Sequence, residues 1–96
     1  MYEIRTTAVF DDWLDGLVGD RALTKVLARI ANMADGNFGD CKSVGGRVLE
    51  ARIHGGPGYR LYFVREGSTV TLLLLGGDKS TQSRDILRAR SLAAAL

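Results

Sequence analysis

Apolar residues recur at the spacing of an α-helix in two stretches of the first third of the chain. The first stretch follows Thr6 or Thr7, either of which can cap a helix, and ends at Gly19. The second begins with Asp20 as its cap and ends at Gly36. The two apolar stripes contain Phe10, Trp13, Leu14 and Leu17, and then Leu23, Val26, Leu27, Ile30, Ala31 and Ala34. This pattern predicts a helical hairpin.

From Arg47 onward the apolar period changes from about 3.6 residues to 2, which is typical of β-strands. Two alternating runs flank the glycine-rich residues 55–58 and predict a β-hairpin. Aligning the apolar positions of the two runs pairs Ala51 with Phe63. Residues 70–75 are apolar on both faces, so we expect a covered strand there.

The remaining segments complete a predicted order of β-α-α-β-β-β-α. A first strand covers residues 2–5, and residues 36–46 are predicted to be a connecting loop. Gly76–Gly77 ends the last strand, and Ser80 or Thr81 caps a C-terminal helix. Helices followed by consecutive strands indicate an α+β fold, with an antiparallel sheet and the helical hairpin packed on one face.

The composition is that of a soluble globular chain, with 46% hydrophobic and 25% charged residues. We expect residues 1–96 to form a single domain, because chains of roughly 100 residues carry one core. Cys41 is the only cysteine, which excludes an intrachain disulfide. No apolar run approaches the roughly 20 residues of a membrane span, and the N-terminal residues are charged. These features predict a cytoplasmic protein that does not enter membranes.

Charge is divided unevenly along the chain. Residues 1–40 carry seven acids and four bases, a balance of −3, whereas residues 41–96 carry nine bases and four acids, a balance of +5. The basic half favours a polyanionic partner such as a nucleic acid.

One polar face of the predicted β-hairpin gathers a set of basic and phenolic side chains. In the predicted register His54 faces Arg60, and Arg52 faces Tyr62. Lys79 follows the end of the last strand, where it can approach them. We interpret this set as an anion site. The alternative is that these side chains are solvated residues on the outer face of a half-covered sheet.

The available residue types exclude several kinds of catalysis. Glu50 and Asp78 are the only acids near the basic set, too few for a two-metal nuclease, so we expect no metal site. His54 is the sole histidine, which rules out acid–base cleavage by a histidine pair. Arginine and lysine can still stabilise the extra negative charge that develops when the adjacent ribose 2′-hydroxyl attacks a phosphorus. That reaction requires RNA, because DNA lacks this hydroxyl.

Three blocks of the sequence resemble the addiction-module killer branch of the RelE/ParE toxin superfamily, close to HigB-type toxins. The blocks are GGRVLEARI at 45–53, GPGYRLYF at 56–63 and LLLGGDKSTQ at 73–82. The resemblance implies the toxin of a type II toxin–antitoxin module, a ribosome-dependent mRNA endonuclease that inhibits translation and uses no metal and no cofactor. It also implies a cognate antitoxin, usually a helix-turn-helix DNA-binding protein, so that DNA is contacted only through the antitoxin complex.

The same resemblance implies roles for individual residues. Arg60 corresponds to the arginine at the scissile phosphate, with Lys79 and Arg52 as further catalytic cations. The expected substrate-binding residues are His54, Tyr62, Arg47, Gln82 and Arg84. Because the C-terminal helix lacks the tyrosine of some RelE members, any tyrosine role would belong to Tyr62.

Two other functions remain open from the sequence. ParE-type members of the superfamily poison DNA gyrase and do not cleave RNA. A non-catalytic RNA-binding module would use the same basic set, with a strong dependence of binding on salt and no turnover.

Overall fold

A computed structural model describes residues 2–96 as an α+β fold with a five-stranded mixed sheet and three α-helices. The elements in chain order are β1 (Glu3–Thr6), α1 (Ala8–Asp15), α2 (Asp20–Ala34), β2 (Cys41–Ser43), β3 (Leu49–Arg52), β4 (Arg60–Glu66), β5 (Val70–Gly77), a 3₁₀ turn (Lys79–Thr81) and α3 (Gln82–Ala94). The strands lie in the order β1-β5-β4-β3-β2.

The sheet is mixed because β1 runs parallel to β5, whereas the other neighbouring strands are antiparallel. The prediction of an antiparallel sheet is therefore wrong for β1. Parallel neighbours need a long crossover, and the helical hairpin begins the long connection between these two strands.

The two faces of the sheet are covered by different helices. The core under α1 and α2 contains Phe10, Val26, Met33, Ala51, Ile53, Leu61, Phe63 and Leu73. The core under α3 contains Val48, Tyr62, Val64, Leu72, Leu74, Leu75, Ala89 and Ala93. The helical hairpin covers one face as predicted, and β5 is buried on both faces. The alternative of a solvated outer face does not hold for Tyr62 on β4, because α3 packs there.

The hairpin of β3 and β4 has a different register from the predicted one. Ala51 pairs with Leu61 and not with Phe63, a shift of two residues that leaves each side chain on its predicted face. The connection between the strands is longer than a tight turn, since the N–H of Ile53 donates to the carbonyl of Tyr59 at 2.9 Å. Three glycines at positive φ allow this wider loop.

The segment 36–46, which we expected to be a loop, contains the short edge strand β2. Cys41 pairs with Ala51 in antiparallel fashion. Three residues are too few to show an apolar period, so this strand forms through its pairing with β3.

Gly76 and Gly77 do not break the last strand but lie within β5. A Cβ at Gly76 would lie 2.2 Å from the ring of Trp13, and one at Gly77 would lie 2.0 Å from Oδ2 of Asp85. The two glycines therefore allow α1 and α3 to approach the strand from opposite faces.

Capping residues define the helix boundaries. Thr7 caps α1, its hydroxyl accepting a hydrogen bond from the N–H of Phe10 at 3.0 Å. That helix ends at Asp15, before the predicted Gly19. Thr81 occupies the N-cap position of α3, one of the two residues predicted there, although its hydroxyl makes no capping hydrogen bond. Asp78 caps the 3₁₀ turn that precedes this helix. None of the helices within residues 2–96 has the length and apolar character needed to cross a bilayer.

Candidate active site

A cleft of about 260 Å³ lies where β3 ends and β4 begins. Its lining residues are Arg52, Ile53, His54, Gly55, Gly56, Pro57, Gly58, Arg60 and Lys79. We refer to this feature as the anion cleft. It brings together four of the side chains expected from the sequence: Arg52, His54, Arg60 and Lys79.

Three separate parts of the chain position the cations of the anion cleft. Arg52 is the last residue of β3 and pairs directly with Arg60, the first residue of β4. Lys79 is held against the loop between these strands, because its N–H donates to the carbonyl of Pro57 at 3.3 Å. Gly58 leaves room for this approach, since a Cβ there would lie 3.3 Å from the Cβ of Lys79.

The carboxylate of Glu50 lies beneath the anion cleft and is fully buried. Its Oε1 atom lies 3.2 Å from Nε of Arg52 and 3.8 Å from Nη1 of Arg60. Its Oε2 atom accepts hydrogen bonds from the Tyr62 hydroxyl at 3.1 Å and the Gln82 amide at 3.0 Å. The sequence alone indicates Glu50 only as an acid too isolated for metal binding.

Opposing effects set the pKa of Glu50. Burial acts to raise it, but hydrogen bonds from Gln82, Tyr62 and Arg52 outweigh burial and hold the pKa below its ordinary value. Glu50 is therefore ionised at neutral pH.

Arg60 combines burial with free hydrogen-bonding capacity. Only 12% of its side chain is exposed, against 30% for Arg52. Its buried Nε has no hydrogen-bond partner among residues 2–96. An arginine presents five N–H donors, so Arg60 can bind an anion in the cleft while its Nη1 faces Glu50.

His54 lies on the rim of the anion cleft, with 75% of its side chain exposed. Its Nε2 lies 2.6 Å from Oδ2 of Asp40, and this hydrogen bond lowers the pKa of Asp40. Asp40 was not predicted from the sequence, because it stands in an irregular segment with no pattern that connects it to His54.

Tyr62 does not reach the anion cleft. The residue is fully buried under α3. Burial, and to a lesser extent the nearby negative charge of Glu50, raise the pKa of its phenol above the ordinary range. The structure thus places Tyr62, a predicted substrate-binding residue, on a face that α3 covers.

The other three expected binding residues lie outside the cleft. The Gln82 amide points to Glu50, beneath the cations. Arg47 lies at the opposite end of β3, in an exposed turn at φ 56°. Arg84 is exposed on the first turn of α3, where it lines an adjoining groove together with Lys79.

A larger cleft of about 540 Å³ lies between α1, the end of β5 and α3. It contains the carboxylates of Asp12, Asp78 and Asp85 beside the guanidiniums of Arg84 and Arg88. This mixture of charges is less suited to an anion than the cleft at Arg60. Among residues 2–96, no three histidine, cysteine, aspartate or glutamate side chains are grouped to hold a metal ion.

No model of a known protein family matches the chain. A protein of Haemophilus influenzae, described as an uncharacterized protein, is 48% identical over 91 residues. The match covers 95% of this chain and 92% of the relative. The chain therefore belongs to the same family as this uncharacterized protein of Haemophilus influenzae.

Proposed function

We propose that the protein is the toxin of a type II toxin–antitoxin module and acts in the cytoplasm as a ribosome-dependent mRNA endonuclease. The observation that carries the proposal is the convergence of Arg52, Arg60 and Lys79, from three parts of the chain, on one cleft. The resemblance of three sequence blocks to the RelE/ParE superfamily supports it as well.

The charge of the anion cleft matches the electrostatic demand of RNA cleavage. Its three cations and the single buried carboxylate together carry a net charge of +2. A phosphodiester carries one negative charge, and attack on its phosphorus adds a second. Fixed cations aimed at that phosphorus therefore stabilise the transition state more than the ground state.

The proposed reaction uses a hydroxyl of the substrate as its nucleophile. The ribose 2′-oxygen forms a bond to the adjacent phosphorus while the bond from phosphorus to the 5′-oxygen breaks. The 2′-hydroxyl loses a proton to a base, and the departing 5′-oxygen gains one. The products are a 2′,3′-cyclic phosphate and a 5′-hydroxyl, and the reaction consumes no metal or cofactor.

His54 is the group in the cleft that we assign to proton transfer. An imidazole can both accept and donate a proton, and His54 is accessible at the rim, where Asp40 orients the ring. Tyr62 is unsuited to that role, because it is buried and its pKa is raised.

The proposed partners are programmed ribosomes with their mRNA and a cognate antitoxin. An antitoxin that neutralises the protein at the anion cleft would present acidic side chains to Arg52, Arg60 and Lys79. In this proposal DNA is contacted only through the antitoxin, which in the superfamily branch that the sequence resembles is usually a helix-turn-helix protein.

Primer extension on a defined mRNA in a reconstituted translation system tests the proposal. The samples are wild type, Arg60→Ala, Lys79→Ala and the matched control Lys42→Ala, which removes an exposed lysine from the edge strand β2. We expect ribosome-dependent cuts that fall by about 100-fold in Arg60→Ala and persist in Lys42→Ala. Circular dichroism of each variant checks that it is folded.

An intact message with folded wild-type protein would overturn the nuclease proposal. A gyrase cleavage assay would then test the ParE-like alternative. Salt-dependent binding of RNA without any cut would indicate a non-catalytic binding module.

A further inference from the structure

Glu50 is a charged residue in a position that would ordinarily be apolar. It lies in β3 between Leu49 and Ala51, and none of its surface is exposed. Buried ion pairs add little net stability, because desolvation offsets the attraction between the charges. The presence of this carboxylate beneath the cleft is better explained by what it does to its partners.

The two oxygens of Glu50 have different partners. Oε2 is held from two sides, by Tyr62 on the neighbouring strand and by Gln82 at the start of α3. Oε1 faces the guanidiniums of Arg52 and Arg60. Two hydrogen bonds thus fix the position of Oε2, while Oε1 faces the cations of the cleft.

Arg52 and Arg60 need such a counter-charge because they are directly opposite each other in the sheet. Like charges in opposed positions repel, and the two side chains would otherwise separate. With Oε1 within 4 Å of both side chains, each guanidinium is drawn toward a common point.

We propose that Glu50 is a positioning residue that orients Arg60 and Arg52 toward the scissile phosphate, with Tyr62 and Gln82 fixing its carboxylate. The inference rests on the proposed function and extends it to a layer of residues that never touches RNA. Glu50 acts through the arginines alone, since it is fully buried.

Glu50→Gln tests the inference, because it keeps the size of the side chain and removes the charge. Misplaced cations stabilise the transition state less, so we expect the cleavage rate at saturating programmed ribosomes to fall by at least about tenfold. The half-saturating concentration should stay the same or decrease, because the cleft becomes more positive. A purely structural role would reduce the folded fraction without separating these two quantities.

A second measurement reports on the arginines directly. Nitrogen-15 NMR of the arginine Nε–H groups should show distinct Arg52 and Arg60 signals in wild type. In Glu50→Gln these signals should broaden or merge, because the two side chains lose their shared partner.

Two further variants serve as controls. Glu3→Gln removes an exposed carboxylate that pairs with Arg5 on β1, and it should leave both measurements unchanged. Gln82→Ala removes one hydrogen bond to Glu50 but keeps the charge, so the cleavage rate should fall by about threefold.

The outcomes separate this inference from the proposed function. An unchanged cleavage rate in folded Glu50→Gln would overturn the inference. If that variant does not fold, an unchanged rate in Gln82→Ala would overturn it instead. If wild type cleaves no RNA, the proposed function fails, and sharp, unshifted arginine signals in Glu50→Gln or Gln82→Ala would then reject the positioning role.

Discussion

The hydroxyl of Tyr62 donates a hydrogen bond of 3.1 Å to Oε2 of Glu50, and both side chains are completely buried. The pair joins β4 to β3 under α3 and lies directly beneath the cations of the anion cleft. It therefore connects the core of the protein to its candidate active site.

Replacing Tyr62 by phenylalanine is expected to cost about 1–2 kcal/mol of unfolding free energy. The variant removes one donor to a buried carboxylate and leaves the ring in place. Urea unfolding followed by circular dichroism measures this loss. RNA cleavage should persist at a reduced rate, because the phenol does not contact the substrate. Normal stability combined with complete loss of cleavage would show instead that Tyr62 acts on RNA.

The lowered pKa of Glu50 predicts how stability depends on pH. The carboxylate binds protons more weakly in the folded than in the unfolded chain, so its contribution is fully present above the ordinary pKa of about 4.3. That contribution is lost as the pH falls through the lower pKa of the folded state.

Glu50→Gln lacks this ionisation and tests the prediction. We expect it to be about 1–3 kcal/mol less stable than wild type at pH 7, because two guanidiniums lose their partner. The difference should narrow in unfolding experiments as the pH is lowered from 6 toward 3. Glu3→Gln is the exposed control, and a difference that stayed constant with pH would contradict the assignment.

Gly76→Ala is expected to be strongly destabilising. The added Cβ would lie 2.2 Å from the Trp13 ring, so α1 would have to move away from β5 at a cost of about 1–3 kcal/mol or more. Gly16→Ala is the matched control, because φ is −87° there and the nearest atom to a new Cβ is 3.5 Å away. Thermal unfolding should separate the two variants, and equal melting temperatures would refute the close contact of Trp13.

Lys79→Ala should weaken RNA binding and reduce its dependence on salt. Loss of one phosphate contact decreases the slope of log K against log salt by about 0.7 for a single strand. A 2′-O-methyl RNA oligonucleotide, whose 2′-oxygens cannot act as the nucleophile, allows binding to be measured without cleavage. Lys42→Ala should keep the wild-type slope, and an equal slope in Lys79→Ala would place Lys79 outside the RNA contact.

Much of the secondary structure could be predicted because it depends on local patterns. The apolar stripe around Phe10 and the threonine before it predict α1, and the alternation through β4 predicts which side chains share a face. The edge strand β2 could not be predicted in this way, since its three residues pair with β3 and carry no period of their own.

The candidate site was predicted only in part, because some of its contacts join segments that are distant in the sequence. Arg52 and Arg60 were predicted to lie together because their strands form a hairpin that puts both on one polar face, and Lys79 because it follows the last strand; the cleft contains all three. The sequence alone does not show that α3 buries Tyr62 or that Asp40 meets His54, since both depend on contacts between distant segments.

The α+β class, the helical hairpin and the basic character of the second half follow from local sequence patterns, because periodicity and charge are properties of neighbouring residues. Three features depend on contacts between distant segments: β1 lies parallel to β5, helices approach Gly76 and Gly77 from opposite faces, and a buried carboxylate lies between two opposed arginines. These features arise from packing between elements far apart in the chain, where close contact and desolvation select one arrangement among many that the local patterns allow.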